Sequence, residues 1–114
     1  MSILDFFRKP ELLQDLSPDE FEQKLKRDDV IALDTRTHAE YSRGHIEGTK
    51  LQPLSTIKSI VGDLEKDRHY VLVCATGHRS RAAAATLIRN GINNVSHLEG
   101  GMRSWNRAGK KIVK

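Results

Sequence analysis

A chain of 114 residues with 38% hydrophobic residues is long enough for one domain with its own core, and its single cysteine excludes an internal disulfide. No apolar run is long enough to predict a membrane-spanning helix, and the N-terminus lacks the pattern of a secretory signal. The net charge of +4 is uneven, because residues 71–114 hold eight Lys and Arg but only one acidic residue. We expect this segment to attract small anions rather than nucleic acid, since basic and aromatic residues are not interleaved.

Strands and helices are predicted to alternate through the first two thirds of the chain. Residues 1–10 form an extension, which is either an apolar helical face (Ile3, Leu4, Phe6, Phe7) or a loosely ordered terminus. Strands are predicted near residues 13–16, 30–34 and 49–51. A capping box at residues 17–20 begins a helix that ends by Asp28. A short helix lies around residues 37–42, and Ser55 is expected to cap a helix that runs through Leu64.

The last third continues the alternation. A buried strand is predicted at residues 70–74, a helix at 80–90, a strand at 95–98, and a final helix that places Trp105 in the core. The turn at residues 99–101 is expected to face the cysteine, and residues 110–114 form a polar tail. This pattern predicts an α/β fold whose parallel sheet is covered by helices on both faces.

The cysteine lies where the central strand turns into a helix. Backbone N–H groups and the positive end of the helix then converge on Cys74, so the thiolate is the form that we expect this place to stabilise. His78, Arg79 and Arg81 oppose the helix dipole in the first turn, and an anion, either the thiolate or a bound substrate, is the simplest compensation. The alternative is a buried structural cysteine before an ordinary helix.

Three further polar residues lie near the expected carboxyl edge of the sheet. Asp34 ends a buried strand, and we favour a framework role in which it caps the helix at residues 37–42 and pairs with Arg36. His45 could act as a general base, but a histidine that pins its own loop through hydrogen bonds is favoured. The five histidines lack metal-ligand spacing, so neither a metal nor another cofactor is expected.

Four stretches, in this order and spacing, resemble the rhodanese family of sulfurtransferases over about residues 13–108. They are Leu33-Asp-Thr-Arg36, Glu40-Tyr-Ser-Arg-Gly-His-Ile-Glu-Gly48, Cys74-Ala-Thr-Gly-His-Arg-Ser80 and Leu98-Glu-Gly-Gly-Met-Arg-Ser-Trp105. The resemblance implies a rhodanese-like domain at residues 11–109 with a five-stranded parallel sheet. It also implies that Cys74 is the catalytic residue, with Asp34, Arg36 and His45 around the site. The substrate would lie against the loop residues Ala75, Thr76, Gly77, His78, Arg79 and Ser80.

The implied reaction is sulfur relay through a Cys74 persulfide. The donor would be thiosulfate or a persulfide, including a protein persulfide, and the acceptor a thiol, a cyanide-like nucleophile or a thioredoxin-type reductant. Four residues separate Cys74 from Arg79, whereas cysteine phosphatases of the related fold have five, so a phosphatase or arsenate reductase is disfavoured. A non-catalytic interaction or sensor module is the other alternative. A lone cysteine indicates the cytoplasm, and neither nucleic acid nor membrane is an expected partner.

Overall fold

The computed structural model describes residues 12–114, so the predicted helical face or loose terminus at residues 1–10 lies outside the described residues. The described strands are β1 (Gln14–Leu16), β2 (Val30–Asp34), β3 (Lys50–Leu51), β4 (His69–Val73) and β5 (Val95–Leu98). The helices are α1 (Pro18–Lys24), α2 (His38–Arg43), α3 (Leu54–Ile60), α4 (His78–Arg89) and α5 (Gly101–Arg107), and a 3-10 turn at Val61–Asp63 follows α3.

The five strands form one parallel sheet in the order β1-β5-β4-β2-β3, which confirms the predicted architecture. In the register, Asp34 lies beside Val73, and Leu72 lies beside His97. The carboxyl ends of β2, β4 and β5 therefore meet at one edge of the sheet, where the loops that follow parallel strands place functional groups. Cys74 follows β4 at this edge.

The strands alternate their side chains between two apolar clusters, one on each face of the sheet. On one face α3 and α4 cover the sheet, with Ile57, Leu72, Ala83 and Leu87 in the cluster. On the other face α1 and α5 do so, and the cluster holds Phe21, Ile46, Val73, Met102 and Trp105. Helices therefore cover both faces, and the predicted core position of Trp105 is confirmed.

Three helix starts differ from the predictions. Pro53, without a side-chain hydrogen bond, precedes α3, so Ser55 lies inside the helix rather than at its cap. Helix α2 is capped by Thr37, whose hydroxyl accepts from the backbone of Glu40, so Asp34 is not the cap. Helix α4 begins at His78, two residues earlier than predicted, because Gly77 takes a left-handed conformation directly before it.

The C-terminal tail packs on the domain. His45 and Val113 exchange backbone hydrogen bonds of 2.9 Å in both directions, and the indole Nε1 of Trp105 donates to the carbonyl of Lys111 over 2.9 Å. Residues 110–114 thereby hold the loop after α2 against α5. None of the helices in residues 12–114 combines the length and apolar character that crossing a membrane requires.

Candidate active site

The sulfur of Cys74 lies inside the loop that joins β4 to α4. Cys74 is buried, with 1% of its surface exposed, and its Sγ accepts a hydrogen bond from the backbone N–H of Gly77 over 2.9 Å. A donated N–H stabilises negative charge on the atom that accepts it. The structure thus brings Cys74 together with a main-chain donor of the predicted loop, ahead of the first turn of a twelve-residue helix.

Gly77 is required by its backbone conformation rather than by space. Its φ of +108° lies in the region that side-chain-bearing residues rarely adopt, whereas a Cβ there would have only ordinary contacts, the nearest at 3.7 Å from the Gly100 nitrogen. The left-handed turn is what aims the Gly77 N–H back at the sulfur.

The start of α5 packs directly on the cysteine loop. The N–H of Met102 donates to the Cys74 carbonyl over 2.8 Å, and the N–H of Arg103 donates to the Ala75 carbonyl over 3.1 Å. A Cβ on Gly101 would lie 2.3 Å from the Cys74 carbonyl oxygen. The prediction that residues 99–101 face the cysteine is confirmed, and these contacts hold the backbone on which the sulfur is mounted.

The charge of Arg79 is already paired within the protein. Its two terminal guanidinium nitrogens contact the two carboxylate oxygens of Glu40 at 2.6 and 2.8 Å. Hydrogen bonding to Glu40 raises the pKa of Arg79, and the same contact lowers the pKa of Glu40 to about 2. A carboxylate on α2 therefore compensates the charge of Arg79, and the sequence did not predict this partner.

Glu40 is a site residue that the sequence reasoning missed. It is the third residue after the Thr37 cap, and its carboxylate also accepts from the Thr37 backbone and hydroxyl. The Glu40 carboxylate therefore caps the start of α2 and also pairs with Arg79 in the first turn of α4. The capping pattern of residues 37–40 was the available signal, but it does not point to residue 79.

We expect Glu40→Gln to lower the free energy of unfolding by about 1–2 kcal/mol at neutral pH, because it removes the charge from a partly buried bidentate pair. The pKa of Glu40 is depressed in the folded state, so its contribution is fully present above pH 5. It is lost as the pH falls toward the folded value of about 2. Urea unfolding of both proteins across this range should therefore show the two stabilities converging at low pH.

Glu47→Gln is the matched control for that prediction. The Glu47 carboxylate lies 3.6 Å from Lys111 Nζ, and the two side chains are 72% and 79% exposed. Such a pair contributes little, so its loss should leave the stability unchanged within error. Equal stability of the Glu40→Gln variant and the wild type at neutral pH would show that the Arg79–Glu40 pair does not hold α4 to α2.

Three predicted residues connect the end of β2 to the loop after α2. They are Asp34, Arg36 and His45. Asp34 is fully buried and forms a bidentate pair with Arg36, whose Nη2 also donates to the Gly44 carbonyl over 2.8 Å. His45 stacks on the Tyr41 ring, and its Nδ1 lies 2.9 Å from the Tyr41 carbonyl. These contacts tie the loop after α2 to the end of β2, which supports the proposed framework role.

Ser80 is buried next to the sulfur and is not exposed at the surface of the loop. Its buried hydroxyl is 3.6 Å from Cys74 Sγ and 2.7 Å from Nδ1 of His97, which in turn contacts Asp15. Neither His97 nor Asp15 was predicted as a site residue. Burial lowers the pKa of His97, so its ring is neutral at neutral pH, although Asp15 opposes this effect.

A shallow basic groove of about 350 Å³ lies beside the cysteine loop. Thr76 and Gly100 line it together with Arg103, Ser104 and Arg107 of α5. Both arginines are exposed, as are Thr76 and His78 of the loop, whereas Ala75 is half-buried. Arg103 and Arg107 were not predicted as site residues. Within residues 12–114, no three His, Cys, Asp or Glu side chains are grouped as a metal ion would need.

Comparison with known proteins places this site in a family. The model of the rhodanese-like domain matches residues 17–108. A sulfurtransferase of Allochromatium vinosum is 33% identical over 103 residues, which cover 90% of this chain and 96% of that protein. A Bacillus subtilis protein, YrkF, named as a candidate sulfur carrier, is 31% identical, with 82% of this chain and 51% of that protein covered.

Other similar proteins carry different names. A tRNA uridine(34) hydroxylase of Photorhabdus laumondii is 31% identical; 84% of this chain is covered, but only 29% of the hydroxylase. Among solved structures, a rhodanese-related protein from Thermoplasma volcanium has a TM-score of 0.78 and 30% identity, covering 88% of this chain and 97% of that one. A possible tyrosine phosphatase from Rhodopseudomonas palustris has a TM-score of 0.79 and 28% identity, covering 89% and 85%.

Proposed function

This chain belongs to the rhodanese-like domain family, and we propose that it is a sulfurtransferase that carries sulfane sulfur as a persulfide on Cys74. The observation that carries the proposal is the hydrogen bond from the Gly77 N–H to Cys74 Sγ, in a loop with four residues between Cys74 and Arg79. A nucleophilic sulfur needs negative charge, and the loop supplies a donor for it. The similarity to the Allochromatium vinosum sulfurtransferase over nearly its full length supports the same reaction class.

In the first half-reaction, the Cys74 thiolate attacks the outer sulfur of the donor. A bond forms between Sγ and that sulfur, the sulfur–sulfur bond of the donor breaks, and its electron pair leaves with the remainder, which is sulfite if the donor is thiosulfate. In the second half-reaction, an acceptor thiolate or cyanide attacks the outer sulfur of the persulfide. A bond forms between the acceptor and that sulfur, the bond between Sγ and the outer sulfur breaks, and its electron pair returns to Sγ and restores the thiolate.

The positive charges of the basic groove favour an anionic donor. Arg79 is paired with Glu40, whereas Arg103 and Arg107 of the basic groove are exposed and can meet an incoming anion. Thiosulfate and a persulfide are both anionic, and a protein persulfide could reach the groove because it is open. A thiol or a thioredoxin-type reductant is the proposed acceptor. We place the reaction in the cytoplasm, where a lone cysteine stays reduced.

A donor and acceptor screen tests this proposal. The wild-type protein is incubated with thiosulfate and cyanide, and separately with glutathione persulfide and a thiol, while thiocyanate and sulfide are measured. Turnover with at least one pair is expected, whereas an aryl phosphate should stay intact because the arginine after the loop is occupied by a carboxylate. Phosphate release without sulfur transfer would replace the proposal with a cysteine phosphatase. The absence of both reactions would favour a binding module.

A further inference from the structure

A chain of polar groups leads from the buried sulfur of Cys74 to the partly exposed Asp15 on β1. Ser80 Oγ is 3.6 Å from Cys74 Sγ and 2.7 Å from His97 Nδ1, and His97 Nε2 is 2.8 Å from Asp15 Oδ1. Ser80 and His97 are fully buried, and none of the three residues lines the basic groove. Burying a histidine and a hydroxyl is costly unless they satisfy each other, so the arrangement is specific.

We propose that Asp15, His97 and Ser80 form a proton relay that takes the thiol proton of Cys74 into the protein interior. The inference rests on the proposed role of Cys74 as the reacting thiolate. Ser80 contacts the reacting sulfur directly, whereas His97 and Asp15 act through Ser80 and are positioning residues for the thiolate. The relay explains how a sulfur with 1% of its surface exposed loses its proton without an adjacent base or bulk water.

The contacts of His97 determine the direction of the relay. The Asp15 carboxylate only accepts hydrogen bonds, so Nε2 of the neutral ring carries the proton and Nδ1 is left as an acceptor. Ser80 can then donate to Nδ1 and use a lone pair to accept from the Cys74 thiol. The Gly77 carbonyl, 3.0 Å from Ser80 Oγ, competes for the same hydroxyl proton.

Proton transfer along this chain balances without any outside reactant. The S–H bond breaks as Ser80 Oγ takes its proton, and the original hydroxyl proton of Ser80 passes to Nδ1 of His97. The electron pair remains on sulfur as the thiolate, the imidazole becomes imidazolium, and Asp15 stabilises that cation. Ser80, its oxygen now facing an imidazolium N–H, donates its remaining proton toward the thiolate, and the Gly77 N–H donates to the same sulfur.

Charged groups on several elements act on the two ends of the relay. Asp15 on β1 and Glu99 after β5 favour the imidazolium, whereas Arg81 on α4 disfavours it. At the other end, the charge of Cys74 acts on Arg79, which is held by Glu40. Burial still lowers the pKa of His97 overall, and Asp15, which makes the direct hydrogen bond, is the strongest of the groups that oppose this effect.

Titration of the thiolate by its ultraviolet absorbance tests the relay, because the chain has one cysteine and a Cys74→Ser sample supplies the blank. Ser80→Ala and His97→Gln should each raise the midpoint of thiolate formation by about one pH unit, the effect of one charge-assisted hydrogen bond. The double variant should shift little further, since both residues belong to one chain of bonds. Asp15→Asn, which keeps the shape and lies at a 29% exposed position, should raise the midpoint by less.

Ser96→Ala is the matched control. Ser96 is also buried and also bonds a buried histidine, since its Oγ lies 3.0 Å from Nε2 of His69, yet this pair is separate from the relay. Its removal should leave the midpoint in place. If the role of Ser80 were purely structural, Ser80→Ala and Ser96→Ala would have the same midpoint of thiolate formation. An unchanged or lowered midpoint in Ser80→Ala would overturn the relay.

Two further measurements distinguish a failure of the relay from a failure of the proposed function. If Ser80→Ala or His97→Gln fails to fold by circular dichroism, Asp15→Asn decides, and an unchanged midpoint there overturns the relay. Persulfide formation, measured by intact mass, reports the proposed function separately and should be the same in the wild type and in Ser96→Ala. If Ser80→Ala and His97→Gln shift the midpoint as expected but no sample forms a persulfide, the result would contradict sulfur transfer and leave the relay standing.

Discussion

Cys74→Ser is expected to lose sulfur transfer by about 10³-fold or more with every donor that the wild type uses. A serine hydroxyl fits the space of the thiol, but it is not ionised at neutral pH and cannot hold a sulfane sulfur. The Gly77 N–H would still donate to the oxygen, and the backbone bonds from α5 to the loop would remain. Initial rates of thiocyanate or sulfide release, normalised to protein concentration, measure the loss.

The control for this prediction is folding. The Cys74→Ser variant should unfold in urea within about 1 kcal/mol of the wild type, since the substitution conserves volume and leaves both apolar clusters intact. Alkylation of the wild type should give the same loss of activity, because Cys74 is the only thiol in the chain. Retention of more than a tenth of the wild-type rate by the folded variant would exclude Cys74 as the sulfur carrier.

Gly101→Ala is expected to give the largest loss of stability, about 3 kcal/mol, together with loss of sulfur transfer. About 1 kcal/mol reflects the left-handed conformation at φ +58°, and the rest reflects the new Cβ, which would lie 2.3 Å from the Cys74 carbonyl oxygen. Relief of this clash must displace either α5 or the loop backbone that carries the sulfur. Urea unfolding and the sulfur-transfer rate measure the two effects.

Gly109→Ala separates the two causes. Gly109 also has a positive φ, +73°, but a Cβ there would meet nothing within 4 Å. This variant should lose only about 1 kcal/mol of stability and keep its activity. If Gly101→Ala and Gly109→Ala proved equally stable and equally active, the close packing of α5 on the cysteine loop would not matter for the site.

The parts of the fold that local sequence determines were predictable. The apolar runs at residues 30–34 and 70–74, separated by helical segments, predict a parallel sheet, and the register of β2 and β4 agrees. The spacing from Cys74 to the following helix placed the sulfur in its loop. The ion pair of Asp34 with Arg36 was also predictable because only one residue lies between them.

The parts that were missed depend on residues far apart in the chain. Glu40 and Arg79 are 39 positions apart, and Asp15 and His97 are 82 apart, so no local pattern links either pair. Each pair meets only because the strand order brings β1 beside β5 and the loop after β2 beside that after β4. The charge pattern indicates that Arg79 needs an anionic partner, but only the strand order shows that this partner is Glu40.

Intact-mass spectrometry of the wild type after exposure to a sulfane-sulfur donor tests the persulfide on Cys74 most directly. We expect a gain of one sulfur atom per chain, which is lost again when an excess of thiol accepts that sulfur, and no gain in Cys74→Ser. Turnover by the wild type without any covalently held sulfur, or the same gain in the serine variant, would contradict the account.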